Sequence, residues 1–402
     1  MLNKTERLFE SNPASKEFDA NVVELRALAE GQGVVLNRTL FYPEGGGQPC
    51  DLGTLNGFPI VSVQEEGETI VHRITGGLQK DESVHGVLDW QRRFDHMQQH
   101  SGQHLLSQAF VRSVGAETTS FHLGSEDVTI DIDRGRLTDQ DMQRVEDEAN
   151  RTVFENRNVL VYEKNDDELD LIPLRKRPRL TGKVRIVEIE DYDWSLCCGT
   201  HVEKTGGIGP VKILRHEKYK GGIRVHFVCG FRAVRDHQAK TSLFRSVSQM
   251  LTAGENDLLQ ILGKWREDRR ASEKRFHILT GHWVEAEAGK LMREAELIGE
   301  TKWVSAAFND LNPQDIQALG RRLIQNPGVI AAVASVQSPA TVIFARSADL
   351  DIDVRPVAED ACRTMAARGG GSASWVQCTA GDASKVAEGI QKAKDLFKDK
   401  LP

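Results

Sequence analysis

An α+β protein of several domains is predicted from three observations. The chain has 402 residues, which corresponds to two or three domains at about 100 to 200 residues each. Its composition, 39% apolar and 28% charged, is typical of folded proteins and excludes a wholly disordered or collagen-like chain. The pattern of apolar residues also changes along the chain. Short stretches in which apolar and polar residues alternate are followed by stretches in which apolar residues recur every three or four positions. We therefore predict a β-rich, barrel-like domain, an α+β domain, a helical linker and an α/β domain.

The first predicted domain covers residues 1–92. From about residue 18 to 90, apolar and polar residues alternate between glycine turns, as in a small barrel or sandwich. Residues 41–51 are too rich in glycine and proline to form a strand. We expect a loop there whose backbone N–H groups turn toward a ligand, with a plain flexible hairpin as the alternative.

The second predicted domain covers residues 93–234. Helical spacing over 93–111 places His96, His100 and His104 on one side of a helix. Further strands are expected at 128–132, 184–189, 211–214 and 223–228, with a helix at 138–156.

The last two regions are a helical linker or hairpin and a C-terminal α/β domain. Residues 235–298 contain no proline and few glycines, and their apolar residues recur at three- and four-residue steps. Residues 299–402 alternate predicted strands and helices. The strands are 329–336 and 341–344, the helices are 313–325 and 357–368, and a Gly/Ser loop spans 369–374.

The strongest chemical signal is a set of His and Cys residues. His100 and His104 are four residues apart on a helix and can bind one metal ion, while Cys197 and His201 supply two further ligands from one loop. This N/S donor set predicts Zn²⁺. Two choices stay open, because His96 shares the helix face and Cys198 adjoins Cys197, although the Cys-x-x-x-His spacing to His201 favours Cys197. A closed structural zinc site is the alternative to a catalytic one.

Several enzyme classes lack their motifs. The chain has no His-Glu-x-x-His sequence, so the zinc-peptidase interpretation has no general base. A dinucleotide-binding G-x-G-x-x-G after an early strand, a phosphate-binding P-loop and a G-x-S-x-G nucleophile elbow are also missing.

Basic residues concentrate on both sides of the Cys197–His201 loop, although the net charge is −7. Such clusters predict a surface that follows RNA phosphates, with an ordinary solvated surface as the alternative. The candidate residues are Arg175, Lys176, Arg177, Arg179, Lys183, Lys212, Arg215, Lys218, Lys220 and Arg224.

Location is predicted from what the sequence lacks. The longest apolar run, residues 329–334, is far shorter than the roughly 18 residues of a membrane span. The N-terminus has no apolar signal-peptide core. The cysteines are too sparse for a disulfide framework. We expect a cytoplasmic protein without membrane contact.

Three motifs resemble those of one family, the editing domains of alanyl-tRNA synthetases and their free-standing AlaX relatives. The motifs are Phe-Tyr-Pro-Glu-Gly-Gly-Gly-Gln at 41–48, His-Ser-Gly-Gln-His at 100–104 and Cys-Cys-Gly-Thr-His at 197–201. Residues 369–372, Gly-Gly-Gly-Ser, resemble a motif of the DHH-associated domain that follows the editing domain in those synthetases.

The resemblance implies a hydrolase that removes a wrongly attached amino acid, serine or glycine, from the tRNA for alanine. It implies His100, His104, Cys197 and His201 as zinc ligands. It also implies that Thr39 recognises the seryl hydroxyl and that Gln48 lies beside the substrate. We further expect backbone N–H groups of residues 45–48, including Gly46 and Gly47, to stabilise an oxyanion.

Two other functions remain open at this point. One is an RNA-binding protein whose zinc is purely structural, and the other is a metal-dependent hydrolase of small esters. The C-terminal half is expected either to contact the tRNA or to form a homodimer through the helices of 235–298.

Overall fold

The computed structural model describes residues 4–176 and 182–399, so the predicted basic residues Arg177 and Arg179 lie outside the described residues. The protein has mixed α+β structure, as predicted, with several separate sheets. The chain divides into two units, Met1–Val247 and Ser248–Pro402. Within the described part of the chain, no helix is long and apolar enough to cross a membrane.

Six strands near the N-terminus close into a barrel in the order β2-β3-β7-β6-β5-β8. Alternate residues of these strands point inward, and Val22, Val34 and Ile70 are completely buried there. The elements of this region are β1 (Glu6–Arg7), α1 (Leu8–Ser11), β2 (Glu17–Ala27), β3 (Gln32–Leu36), β4 (Arg38–Thr39), β5 (Gly53–Leu55), β6 (Phe58–Glu66), β7 (Thr69–Ile74) and β8 (Ser83–Leu88).

A long helix, α2 (Trp90–Val114), follows the barrel directly. It begins at Asp89, whose carboxylate accepts a hydrogen bond from the N–H of Arg92. The completely buried Arg93 then donates from Nε to both carboxylate oxygens of Asp51, at 3.0 and 2.9 Å. This buried ion pair joins the 41–51 loop of the barrel to the helix that carries the histidines.

Two sheets and a second helix complete this unit around α2. The sheets have the orders β14-β15-β10-β9 and β11-β12-β13. The helix starts with a capping box in which Thr138 and Asp141 bond reciprocally. The elements are β9 (Thr118–Leu123), β10 (Val128–Ile132), α3 (Asp139–Glu155), β11 (Val159–Asn165), β12 (Lys183–Ile189), β13 (Asp193–Leu196), β14 (Val211–Tyr219) and β15 (Gly222–Cys229).

The predicted helical region consists of two helices, α4 (Gly230–Leu251) and α5 (Leu258–Arg293). The last turns of α5 are more than a connection, because Val284, Ala288 and Leu291 are buried against the sheet of the second unit. The C-terminal end of α5 therefore belongs to the core that the sequence places only after residue 299.

The second unit contains a six-stranded sheet in the order β16-β17-β18-β19-β21-β20. Among the described strands of this sheet, only β17 and β18, which α6 connects, are parallel; the other pairs are antiparallel. The expected α/β domain is therefore a mixed sheet with one βαβ unit. Its elements are β16 (Glu296–Ile298), β17 (Thr301–Phe308), α6 (Pro313–Leu323), β18 (Val329–Ser335), β19 (Ala340–Arg346), α7 (Arg355–Thr364), β20 (Ala367–Ser372), β21 (Trp375–Ala380) and α8 (Val386–Lys398).

Two predictions for this unit are wrong. Helix α7 ends at Thr364 rather than at 368, and the glycines of the expected 369–374 loop form the edge strand β20. Glycine is required there because a Cβ on Gly371 would lie 2.0 Å from the carbonyl oxygen of Trp375. The cysteines also form one disulfide, Cys362–Cys378, which the sparse spacing did not predict.

A candidate metal centre in a basic cleft

The four predicted ligands lie together in the structure. Their ligand atoms are all within 4.8 Å of one another, and His100, His104 and His201 are buried. His100 and His104 lie one turn apart on α2, whereas Cys197 and His201 come from the loop that follows β13. The helix and the loop therefore supply two ligands each, as their spacing predicted.

The sulfur of Cys197 lies at the middle of this group. It is 3.3 Å from Nε2 of His100 and 3.3 Å from Nε2 of His201. The backbone N–H of Gly199 also points at the sulfur, at 3.3 Å. The Nε2 atoms of these two imidazoles thus converge on one point beside a thiolate.

Each imidazole has a polar partner on its other nitrogen. His100 Nδ1 donates to Oε1 of Gln48 at 2.8 Å. His201 Nδ1 lies 3.1 Å from the hydroxyl of Ser101, and His104 Nδ1 lies 3.5 Å from a carboxylate oxygen of Asp193. Partners of this kind fix the tautomer and the orientation of metal-binding histidines.

The charges in the cluster favour a thiolate. Burial opposes ionisation of Cys197, but the neighbouring imidazoles outweigh it and hold the pKa of the thiol well below its usual range. Burial lowers the pKa of His201 to about 3, which keeps it neutral. His104 is also buried, yet the Cys197 sulfur and Asp193 raise its pKa to about 8. A thiolate with three converging imidazoles is a donor set that suits Zn²⁺.

The two choices that the sequence left open have structural answers. His96 shares the helix but lies outside the cluster and lines a different cavity. Cys198 is exposed and is also outside the cluster, although it lines the same cleft as Cys197. Burial raises the pKa of the Cys198 thiol, and the neighbouring Cys197 adds to this shift.

The triple-glycine segment forms a tight turn. Gly45 and Gln48 exchange backbone hydrogen bonds of 3.1 and 2.9 Å, and Gly46 and Gly47 have φ of 57° and 83°. Positive φ at both central positions is the mark of a type I′ turn. The N–H groups of Gly45 and Gln48 are thus occupied, and only those of Gly46 and Gly47 lack an acceptor within the described residues. The predicted set of oxyanion donors is reduced to these two.

Gln48 is buried and holds other residues of the site in place through hydrogen bonds. Its side chain is 1% exposed, and besides holding His100 it donates from Nε2 to the Thr200 hydroxyl at 3.0 Å. The N–H of Thr200 bonds back to Oε1 at 3.3 Å. Gln48 therefore joins the barrel loop to both halves of the metal centre, and it lies behind His100 rather than on the cleft surface.

Thr39 lies inside the barrel. It is completely buried, and its hydroxyl is 2.8 Å from Nε2 of His72. Burial lowers the pKa of His72 to about 4, so the ring is neutral, donating from Nδ1 to the carbonyl of Val34 and accepting from Thr39. Among the described residues that line the cleft Thr39 does not occur, so the structure does not bring it together with the metal ligands.

A cleft of about 740 Å³ opens onto the cluster, with His100, His104 and Cys197 in its wall. Gly46 lines it, and so do four basic residues, Arg175, Lys176, Lys183 and Arg185. Arg185 donates to the carbonyls of Cys197 and Gly199 at 2.7 and 3.0 Å, which holds the ligand loop in place.

The second basic stretch lies elsewhere, on β14 and β15. Acidic residues already pair with several of its members: Lys212 with Glu146, and Arg224 with both oxygens of Asp131. Among the described residues that line the cleft, none comes from this stretch, which comprises Lys212, Arg215, Lys218, Lys220 and Arg224. A role of this stretch in binding RNA phosphates stays a prediction.

Three residues of the site are not among those that the sequence predicts. Asp193 and Ser101 position histidines, and Gln103 lines the cleft between the two helical ligands. Ser101 and Gln103 lie inside the His-Ser-Gly-Gln-His motif, which was a signal that could have been used. Asp193 is the first residue of β13, four residues before Cys197, and nothing in its local sequence distinguishes it from other acidic residues.

Comparison with known proteins agrees with this site. The chain is 30% identical over 385 residues to the alanyl-tRNA editing protein AlaX-L of Pyrococcus horikoshii, covering 91% of this chain and 92% of that protein. The chain belongs to the AlaX family. A second member, alanyl-tRNA editing protein Aarsd1 of Danio rerio, is 33% identical over 64% of this chain and 67% of its own length.

The AlaX chain is also similar to larger proteins. It is 33% identical to the alanine–tRNA ligase of Pyrococcus abyssi, over 98% of this chain and 44% of the ligase, so it spans less than half of that relative's length. The family model "Threonyl and Alanyl tRNA synthetase second additional domain" matches residues 184–226, which include Cys197 and His201. The model "tRNA synthetases class II (A)" matches residues 8–92, the barrel region.

Proposed function

We propose that this AlaX-family chain is a zinc-dependent hydrolase that deacylates mischarged tRNA for alanine, with serine and glycine as the amino acids removed. The observation that carries the proposal is the position of a His₃Cys cluster in the wall of a cleft lined by basic side chains. Membership of a family of alanyl-tRNA editing proteins supports the choice of substrate.

The basic side chains suit the RNA part of this substrate. Lys183 is 72% exposed and has only a long contact, 3.8 Å, to Glu163, so its ammonium is available to a phosphate. Arg175 is held by the hydroxyl of Ser195 at 2.8 Å, which leaves it less free. The ammonium of Lys176 is also held, because it donates to the carbonyl of Thr118. We therefore assign phosphate binding to Lys183, and supporting roles to Arg175 and Lys176.

The ester needs an oriented water and stabilisation of the developing negative charge. A bound Zn²⁺ supplies Lewis acidity toward the ester or lowers the pKa of a water. Gln48 and Asp193 hold His100 and His104 in their ligand orientations. The free N–H groups of Gly46 and Gly47 are the backbone donors that we assign to the oxyanion.

A second candidate is an RNA-binding protein with a purely structural zinc. This candidate is favoured by the four His and Cys side chains of the cluster. Four protein ligands fill a tetrahedral site and leave no position for water or substrate. The third candidate, a hydrolase of small esters, differs in not requiring the tRNA body.

The experiment measures hydrolysis of Ser-, Gly- and Ala-tRNA for alanine by the zinc-loaded protein and by Cys197→Ala and His104→Ala. The proposal requires that the wild type releases serine or glycine, but not alanine, from the tRNA. Neither variant should release any amino acid. Bound tRNA without hydrolysis would support the structural zinc. Equal cleavage of a small seryl ester and of Ser-tRNA would support the third candidate.

We also propose that the C-terminal half of the chain either contacts the tRNA or forms a homodimer. Size-exclusion chromatography with light scattering, with and without the tRNA, separates the two roles. A monomer whose tRNA affinity falls when basic residues of this half are replaced supports the first, and a dimer in the absence of tRNA supports the second.

A further inference from the structure

A second cavity lies at the N-terminal end of α2, one helical turn before the metal ligands. Its volume, about 820 Å³, is within the range of ligand-binding cavities. The first turns of α2 and α4 and the turn between β9 and β10 form its wall. None of the described residues in that wall belongs to the His₃Cys cluster, so the mechanism above leaves this cavity unused.

The wall of the cavity is rich in aromatic rings. Trp90 and Phe94 stack on each other with centroids 5.8 Å apart and planes inclined by 20°. Phe231, in the first turn of α4, lines the same cavity and is 60% exposed. A large ring exposed in a cavity wall offers a stacking surface to a flat ligand.

His96 supplies a buried polar atom, Nδ1, that has no partner in the part of the chain that the structure describes. The residue is 3% exposed and lines the cavity, and its Nδ1 has no hydrogen bond within the described residues. Burial, with help from Arg92, lowers the pKa of His96 to about 4, so the ring is neutral near pH 7. A neutral imidazole offers one donor and one acceptor, and a buried polar atom normally has a partner.

Two arginines of α4 line the cavity in different states: Arg232 is held by an ion pair, and Arg235 is exposed. Arg232 is fixed by Asp95, with Nε–Oδ1 and Nη2–Oδ2 distances of 2.9 and 2.6 Å, and by the Gly124 carbonyl at 2.8 Å. Arg235 also lines the cavity, is exposed, and has no acidic partner among the described residues. An anionic group can therefore bind at Arg235 without breaking an existing ion pair.

We propose that this cavity binds a nucleotide of the substrate RNA, with its base stacked on Phe231 and hydrogen-bonded to His96 and its phosphate at Arg235. Aromatic stacking combined with a guanidinium is the usual way in which proteins hold an unpaired nucleotide. The inference rests on the proposed function, since it takes the RNA to be the tRNA whose ester reaches the metal centre.

The position of the cavity indicates which part of the RNA enters it. His96 precedes His100 by four residues, a rise of about 6 Å along the helix axis. The 45–49 segment touches both sites, because Gly46 lines the metal cleft and Pro49 lines this cavity. The nucleotide is therefore one close to the esterified 3′ end.

The test compares two substrates in the full-length protein. The ratio of kcat/KM for Ser-tRNA to kcat/KM for the seryl ester of adenosine is measured for the wild type, Phe231→Ala and Arg235→Ala. The adenosine ester has no further nucleotide to place in the cavity. We expect the ratio to fall about 5- to 160-fold in Phe231→Ala, the range expected for one lost base–aromatic stack of about 1–3 kcal/mol. Matched controls are Phe154→Ala and Arg144→Ala, which remove exposed side chains of α3.

The outcomes are distinguishable from failure of the proposed function. If the wild type does not hydrolyse Ser-tRNA, the proposed function fails, and the affinity of uncharged tRNA, measured by fluorescence anisotropy, still tests the cavity. If the wild type is active and the ratios of Phe231→Ala and Arg235→Ala equal those of the controls, the cavity does not hold the RNA. Binding of free AMP that Phe231→Ala abolishes, with unchanged tRNA affinity, would assign the cavity to a free nucleotide and overturn the proposal.

Discussion

Replacement of Gly199 by alanine tests the metal centre without removing any ligand. A Cβ at this position would lie 2.2 Å from Cε1 of His100, 2.4 Å from its Nδ1 and 3.0 Å from Oε1 of Gln48. Ordinary contact begins at 3.4 Å, so the imidazole must move by roughly 1.2 Å. Because metal–ligand distances tolerate only about 0.2 Å, His100 would leave the coordination shell.

We expect Gly199→Ala to lower zinc affinity by at least about 100-fold, the upper end of the effect of losing a supporting hydrogen bond, because here the ligand itself is displaced. Competition with a chromophoric chelator measures this affinity. Gly77→Ala is the matched control, since nothing lies within 4 Å of its added Cβ and neither glycine has a positive φ. Wild-type zinc affinity in Gly199→Ala would refute the placement of His100 as a ligand.

Three further predictions concern stability. Asp51→Ala leaves the buried charge of Arg93 unpaired and should lower the free energy of unfolding by about 3–5 kcal/mol in urea titrations, whereas an effect under 1 kcal/mol would contradict a buried pair. His72 stays unprotonated in the native state down to about pH 4, while the unfolded chain protonates below about pH 6.5. His72 alone should thus lower the free energy of unfolding by about 3 kcal/mol as the pH falls from 6.5 to 4, and the pH dependence of His72→Phe should be smaller than that of the wild type by this amount. Gly102→Ala would put a Cβ 2.2 Å from the Cys229 sulfur and should lower the melting temperature through a cost of about 1–3 kcal/mol, which an unchanged melting curve would disprove.

The residues of the His₃Cys cluster could be selected from the sequence because helical geometry is local. Residues four apart on a helix share a face, so the spacing of His100 and His104 is sufficient to place them side by side. The choice of Cys197 over Cys198 also followed from its spacing to His201. These contacts depend on a few residues of known local conformation.

The supporting contacts could not be selected in this way because they join distant parts of the chain. Gln48 and His100 meet only when the barrel loop packs on α2, and Asp193 reaches His104 from a neighbouring strand. The hydroxyl of Thr39 is hydrogen-bonded to His72 inside the barrel, and its role at the substrate stays a prediction. The residue type alone does not predict whether a side chain on a strand faces the barrel core or the outside of the barrel.

The glycine run at 369–371 shows the same limit for the fold. Glycine and serine favour loops by local preference, but the close approach of β21 leaves no room for a Cβ at Gly369 and Gly371. The tertiary contact overrides the local preference, so a predicted loop is a strand.

The most direct test of the central claim is a zinc titration of the metal-free protein, followed by the initial rate of Ser-tRNA hydrolysis at each step. The account predicts that the rate rises in proportion to bound zinc and reaches its plateau at one zinc per chain, with Ala-tRNA left intact. Full activity without zinc, or one bound zinc with no hydrolysis, would contradict it.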